Sequence, residues 1–371
     1  NSSFWSLSCY GFPNVSELSF IYKKIPNNGP RTDGILGFTS LVRYIKCYFR
    51  LTSSYSCWPQ PGWPFTYYLF GSIETQGTVI MGHVLANWRG YLELTKPGVQ
   101  ALLFVSCASG MLIGSDFEPP IMTFFFGLIG ISFLAASSAV VNHFFDKHID
   151  SKMNRTSDRP LVNGSISDNS AIIFSILLYC SGSWMLLAYA NFLTWLLTTL
   201  TFIFYGFIYT KYLKFMTSQN IVIGGLAGAM PPLLGWAAIT NTIEPNALLL
   251  VLIIMVWTPP HFWALAVYRV EDYTDAAVPM LPVQKGVAFT KQHILLYTFL
   301  LLASTMLPYA VGMLGEIYLL SALVLGVIFL SYSYRLYKDD SNSLAMPTFA
   351  YSIIYLAALF AAMLVDHFLK L

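Results

Sequence analysis

The sequence predicts an all-α, polytopic membrane protein with nine transmembrane helices. Three observations carry that expectation. Only 10% of the 371 residues are charged, while 56% are hydrophobic and 16% aromatic. A soluble domain is about one quarter charged, so this chain cannot clothe a soluble surface of its size. Nine apolar stretches each come close to the roughly 20 residues that span the hydrocarbon. The Lys and Arg residues then fall almost entirely in alternate connections between those stretches.

Residues 1–80 stand apart from the rest. Here "KKIPNNGPRTDGILG" and "SCWPQPGWPFTYYLFGS" are broken by Pro and Gly and hold neither a helical nor a strand period. No apolar run in them reaches membrane length. The segment is expected to be an irregular extension, unstructured or upstream read-through. The alternative is a targeting extension, with six bases against three acids but no Arg-rich amphipathic helix. The first Met is Met81, and 81–371 is expected to form the transmembrane domain. Its apolar segments fall near 97–115, 120–141, 170–190, 192–212, 220–240, 246–268, 290–312, 316–336 and 345–367.

The bases orient the segments. Arg89 and Lys96 precede the first. Lys147, Lys152, Arg155 and Arg159 follow the second, Lys211 and Lys214 the fourth. Arg269, Lys285 and Lys291 follow the sixth, and Arg335 and Lys338 the eighth. The opposite connections carry only Asp116, Glu118, Glu244 and Glu316, with Lys370 the one exception. By the positive-inside rule the N-terminal side is cytoplasmic, or on the matrix side of a mitochondrion. A net charge of +2 is too small to imply a nucleic-acid partner. The five cysteines form no C-x-x-C pair, and their odd number argues against a complete disulfide framework.

Charge gathers in one place, "NHFFDKHIDSKMNRTSDRPL", 142–161. Asn142, Asp146 and Asp150 are spaced i, i+4, i+8. If the second span continues into them as a helix, they drift by only ~40° and rise by ~6 Å per step, so all three share one face. Carboxylates so placed can hold hard divalent cations through oxygen. Lys152, Arg155 and Arg159 follow at once, and bases beside acids suit a Mg²⁺-bridged diphosphate. Taken alone, the stretch reads equally well as a solvated loop of i, i+4 pairs. A second cluster changes that balance. "YRVEDYTDAAVPMLP" follows the sixth span on the same side with Arg269, Glu271, Asp272 and Asp275. The positive-inside rule explains the bases of such loops and not the acids.

The pattern N-x-x-x-D-x-x-x-D, with a second acidic motif about 120 residues on, resembles the UbiA-type intramembrane prenyltransferases. "NRTSDRPLVNGSIS", "YTKYLKFMTSQNIVIGGLAGAMPPLLGW", "WTPPHFWALAVYRVEDY" and "VPMLPVQKG" look more narrowly like the haem branch of that superfamily, and the likeness covers about 85 to 371. The resemblance implies a nine-span bundle around a central cavity that opens to the cytoplasmic side. It implies transfer of farnesyl from farnesyl diphosphate to a vinyl group of haem b, with addition of water, in the inner membrane of a bacterium or, alternatively, of a mitochondrion. Mg²⁺ would be the cofactor and the lipid bilayer the setting. Haem A synthase or terminal-oxidase assembly would be the protein partner.

Carried onto this chain, Asn142, Asp146 and Asp150 would form the first Mg²⁺–diphosphate motif. Arg155, Arg159, Lys211 and Lys214 would be diphosphate partners. Asp272, with Glu271 and beside Arg269, would belong to the second motif. Two departures matter. His148 stands where haem-branch members commonly carry an acid, so it receives no metal role. Tyr268 stands where quinone-branch relatives carry Asp, which makes the second metal site thinner.

A vinyl carbon is a weak nucleophile, so the allylic cation must be generated in a dry, electron-rich pocket. Phe144, Phe145, Tyr205, Tyr209 and Tyr212 lie at a suitable depth, although each reads first as packing or interfacial belt. Pro259 and Pro260 should kink the sixth span and free backbone carbonyls. His261 lies ~16 Å deeper than Asp272 along a continuous helix. It is a candidate to ligate haem iron, to bond a propionate or to act as a base, and equally a satisfied interhelical His. His143 is a weaker candidate of the same kind. "GGLAGAMPPLLG" reads as close helix packing. Rival readings are a prenyltransferase for a quinone precursor or other aromatic acceptor, a membrane transporter, and a non-catalytic haem-handling factor.

Overall fold

The computed structural model describes residues 87–153 and 156–370. The extension expected over 1–80 lies outside them, as does Arg155. All regular structure among the described residues is helical, and nine helices are long and apolar enough to cross a membrane.

A short surface helix, α1 (Trp88–Leu94), leads into the first span, α2 (Pro97–Gly114). The second span, α3 (Ile121–Asp150), runs 30 residues without a break and so carries the whole charged stretch to Asp150 as helix. The span expected to end near 141 therefore continues for nine more residues. This is the continuation on which the shared acidic face depended. After α4 (Asp168–Tyr189) comes α5 (Phe192–Ile203). The fourth span then goes on as a π-helix, Phe204–Leu213, and closes with one α turn, Lys214–Met216. The fifth span is split by "MPP" into α6 (Asn220–Ala229) and α7 (Pro231–Thr240). Then follow α8 (Pro245–Tyr268), the short α9 (Val270–Asp275) and α10 (Leu281–Lys285), and the last three spans. These are α11 (Val287–Ala310), α12 (Glu316–Lys338) and α13 (Ala345–Lys370).

Packing closes these helices into a ring. α3 lies along α4, α7 along α2, α11 and α13 along α8, and α13 returns to α2. Side chains such as Ile176, Leu177 and Trp184 on α4 remain exposed, as a lipid-facing surface requires. α7 and α8 are the most enclosed, with Trp236, Leu250, Ile253 and Trp257 joining Phe329, Tyr355 and Phe360 in the largest core. Apolar burial drives helix association little in lipid, so close contact and interhelical polar bonds carry more of the load. Ser137 on α3 meets Ser175 on α4 at 2.9 Å, and Thr298 on α11 meets Ser333 on α12 at 2.9 Å. Asp366 of α13 caps α12 by accepting from the Gly315 and Tyr318 amides at 2.5 and 2.9 Å.

Small residues set the closest approaches. A Cβ on Gly110 of α2 would run into the Pro232 carbonyl of α7, and one on Gly235 of α7 into the Cys107 carbonyl of α2. Gly224 receives the Tyr209 ring and Gly225 the Thr258 side chain. The "GGLAGAMPPLLG" stretch thus packs closely at Gly224, Gly225 and Gly235, while Leu226 and Gly228 remain exposed. α8 passes through Pro259 and Pro260 as one helix. Both prolines and their neighbours Trp257, Thr258, His261 and Trp263 are buried.

Candidate active site

The continuation of α3 places Asn142, Asp146 and Asp150 on one face, each only 4% exposed. Three other elements bring cations to that face. Lys214, in the α turn that ends the fourth span, donates to Asp146 Oδ2 at 2.8 Å. Arg159, in the loop after α3, donates to Asp150 Oδ2 at 2.6 Å. That loop is turned back on the helix by Thr156, whose hydroxyl donates to the Asp150 carbonyl at 2.9 Å. Lys96, which precedes α2, donates from Nζ to Asn142 Oδ1.

Asn142 is the hinge of the network. With its oxygen engaged by Lys96, its Nδ2 donates to Asp146 Oδ2 at 2.9 Å and to Thr210 Oγ1 at 3.0 Å. Thr210 in turn donates to the Tyr205 carbonyl five residues back, at 2.8 Å. This bond belongs to the wide π register. π-helical turns are rare and concentrate at functional sites. Here the wide turn sets Thr210 and Lys214 together on the α3 face. Asp146 Oδ1 is buried without a hydrogen-bond partner. Tyr205 and Tyr209 stack at 5.7 Å beside the network, and the Lys96 ammonium lies 6.0 Å from the Tyr205 ring.

Lys96 is half-buried with its ammonium turned inward. Desolvation pushes it down to about 7, with Arg159 and Lys214 adding to the fall and Asp146 and Asp150 opposing it. The sequence marked Lys96 only as a topological base. Its place in the site, like that of Thr210, depends on contacts across 46 and 68 residues of chain.

The remaining expected residues lie elsewhere. Lys211 is exposed, over the Phe145 ring at 6.0 Å. Arg269 pairs with Asp272 at 3.5 Å, an ion pair without hydrogen-bond geometry. Glu271 and Asp275 are exposed. Among the described residues, no hydrogen bond or ion pair joins this second motif to the first. Nor do three or more His, Cys, Asp or Glu side chains come together there as a metal site. Phe144 and Phe145 line an apolar groove of about 440 Å³ between α3, α4 and the fourth span, and Tyr212 is exposed.

His261 sits within the bundle between α8 and α13. It stacks on Trp257 at 4.2 Å and Phe349 at 4.5 Å, and its Nδ1 pairs with Ser352 Oγ at 2.6 Å. His261→Ala should therefore lower thermal stability by an amount on the order of 2–4 kcal/mol, as large-to-small core changes do. A melting series in detergent measures this. A raised haem requirement at unchanged stability would show instead that the ring reaches substrate.

Nine apolar helices among the described residues mark an integral membrane protein, and its buried acid–base cluster sits at the end of α3. The UbiA prenyltransferase family model matches residues 102–363. The chain is 51% identical to the protoheme IX farnesyltransferase of Saccharophagus degradans over 295 residues, 80% of this chain and 97% of that one. It is 49% identical to the protein of the same name from Methylococcus capsulatus, over 77% of this chain and 96% of that one. The chain belongs to the UbiA prenyltransferase family, on its protoheme IX farnesyltransferase branch.

Solved structures agree on the fold. A digeranylgeranylglyceryl phosphate synthase superposes with a TM-score of 0.65 at 22% identity, covering 76% of this chain and 99% of that one. A UbiA homolog from Archaeoglobus fulgidus, bound to DMAPP and Mg²⁺, superposes with a TM-score of 0.53 at 19% identity, covering 74% and 98%.

Proposed function

We propose that the chain transfers a farnesyl group from farnesyl diphosphate to a vinyl group of haem b, and that the acidic face of α3 is where the diphosphate is held. The family and the names of its relatives support the reaction. The observation that carries the site is the joined cluster of Asn142, Asp146 and Asp150 with Lys214 and Arg159.

The donor set fits a hard cation. Asp146 and Asp150 offer carboxylate oxygens, and one of these, Asp146 Oδ1, is buried and unpaired. Mg²⁺ binds through one or two carboxylates and takes its other ligands from water and phosphate, so two acids suffice. Asp146 and Asp150 would hold it, with Asn142 orienting Asp146. Bound there, Mg²⁺ would neutralise charge on the departing diphosphate.

The protein's own groups do the rest. Lys214 and Arg159, which pair with the acids here, are the nearest cations for phosphate oxygens. Tyr205 and Tyr209 present ring faces to an allylic cation. Lys211 and Arg155 remain diphosphate partners in this proposal, and Arg269, Glu271 and Asp272 the second motif. The apolar groove lined by Val141, Phe144 and Phe145 lies on the face of α3 turned away from the acids, so it is no part of the diphosphate site.

Membranes supplied with haem b, farnesyl diphosphate and Mg²⁺ should yield haem carrying a hydroxyethylfarnesyl group by mass analysis. Prenylation of a quinone precursor in its place would sink the haem reading. The mouth is placed on the cytoplasmic or matrix side. A Cys at Lys152 or Lys338 should react only from that side, and one at Glu244 or Glu316 only from the other. A swap within either pair breaks the topology.

A further inference from the structure

Lys96 and His143 flank Asn142 and are left over once the ion pairs are counted. Asp146 is matched by Lys214 and Asp150 by Arg159. Among the described residues, Lys96 is then a third cation beside the two carboxylates of α3, and the hydrogen bond of its ammonium goes to the neutral oxygen of Asn142. The backbone fixes it there. Lys96 adopts φ 56° in the left-handed region, immediately before Pro97 starts α2. That conformation is uncommon for a residue with a side chain, and such outliers cluster where a ligand is clamped.

His143 follows Asn142 directly on α3. It is 3% exposed, and among the described residues neither ring nitrogen has a hydrogen-bond partner. Buried polar groups are almost always satisfied, so an imidazole with both nitrogens unpaired points to a group that arrives from outside. The charges of Lys96 and Arg159 both act on this ring, so the three lie in one electrostatic neighbourhood. A cation lacking an anion and a ring lacking a partner thus meet beside the acidic face.

We infer that Lys96 and His143 form an anion-binding subsite next to the acidic face of α3, which takes the oxygens of a substrate's anionic group. Lys96 contributes the charge and His143 a directed N–H. Two sources offer that chemistry under the proposed function, on which only the choice of ligands rests. One is the diphosphate, the other the propionate carboxylates of haem. Either would turn the Lys96 ammonium from a neutral amide oxygen to a charged one, and would satisfy the buried ring.

The full chain in detergent, native and as His143→Phe or Lys96→Met, tests this with three probes. These are inorganic pyrophosphate with Mg²⁺, haem b, and the dimethyl ester of haem b. Pyrophosphate is followed by calorimetry and the haems by their absorbance. Both variants keep bulk and remove the polar group. Each should weaken one and the same ligand by roughly tenfold or more, the scale of a charge-assisted hydrogen bond. Weakening of pyrophosphate identifies the phosphate source. Weakening of haem b but not of its ester identifies the carboxylate.

His143→Gln, which keeps a donor, should recover part of the affinity, whereas a packing role would not distinguish Gln from Phe in this way. If His143→Phe does not fold, Lys96→Met decides alone. A native chain that binds pyrophosphate and ignores haem b would sink the acceptor reading, yet leave the subsite standing if both variants weaken pyrophosphate. Folded variants that bind all three probes as the native chain does would overturn the subsite.

Discussion

Asp146→Asn and Asp150→Asn should each slow farnesyl transfer by roughly 30- to 150-fold, the equivalent of about 2–3 kcal/mol of lost transition-state stabilisation. Each change removes an anionic oxygen while keeping shape. It also strips a nearly buried cation of its partner, Lys214 in one case and Arg159 in the other. Breaking such a pair costs stability on its own account, so the two effects need separating. Asp146→Asn combined with Lys214→Met removes both charges and should recover much of the melting temperature but none of the rate. Recovery of the rate as well would mean that Asp146 serves the fold rather than the chemistry.

Raised Mg²⁺ should rescue part of the Asp146→Asn loss. Asp272→Asn, whose Arg269 partner is more exposed, should lower activity with a smaller structural penalty. Asp158→Asn is the control, exposed in the same loop. Equal losses at Asp158 and Asp146, measured in membranes with confirmed expression, would mean that the loop needs charge in general.

Gly235→Ala should be, with Gly110→Ala, among the most damaging of the small substitutions. Its new methyl would collide with the Cys107 carbonyl, and backbone cannot step aside as a side chain can. α2 and α7 would have to part, loosening the cluster of Cys107, Met111, Leu128 and Leu234. Overpacking of this kind costs about 1–3 kcal/mol. The loss should be read twice, as a lower melting temperature and as lower activity, because Lys96 enters the site at the start of α2. Gly228→Ala is the counterpart. Nothing lies within 4 Å of its added methyl, and Ala is the better helix former by roughly 0.8–1 kcal/mol. Equal losses at Gly228 and Gly235 would show that close approach is not the cause.

The spans were legible because length and charge alternation are local properties of a chain. The acidic face was legible for a related reason. Asn142, Asp146 and Asp150 lie within one helix, and helical spacing converts directly into geometry. Lys96 was not, since nothing local separates a base that turns inward from one that marks a membrane edge. The π register of 204–213 has no signature in residue type, and it decides that Thr210 and Lys214, rather than Lys211, meet the acids. His261 shows the limit from the other direction. An ionisable residue inside a span reads equally as a functional group and as a satisfied interhelical His, and the partners that the folded chain supplies, Ser352, Trp257 and Phe349, are visible only in the structure.

The length of α3 has a physical consequence of its own. Thirty residues make a rod of about 45 Å, against roughly 30 Å of hydrocarbon. Counted from Ile121, Asn142 stands about 32 Å along it and Asp150 about 44 Å. The last turns therefore reach past the oil into the headgroup layer, while the turns below remain immersed. An amphiphile that approaches along such a rod can stay dissolved at both ends throughout. Its chain never leaves solvent of its own kind, and its charged head is never dragged into a medium that repels it. The helix is a dipstick across a phase boundary, and under the proposed function the reacting bond would be held at the waterline.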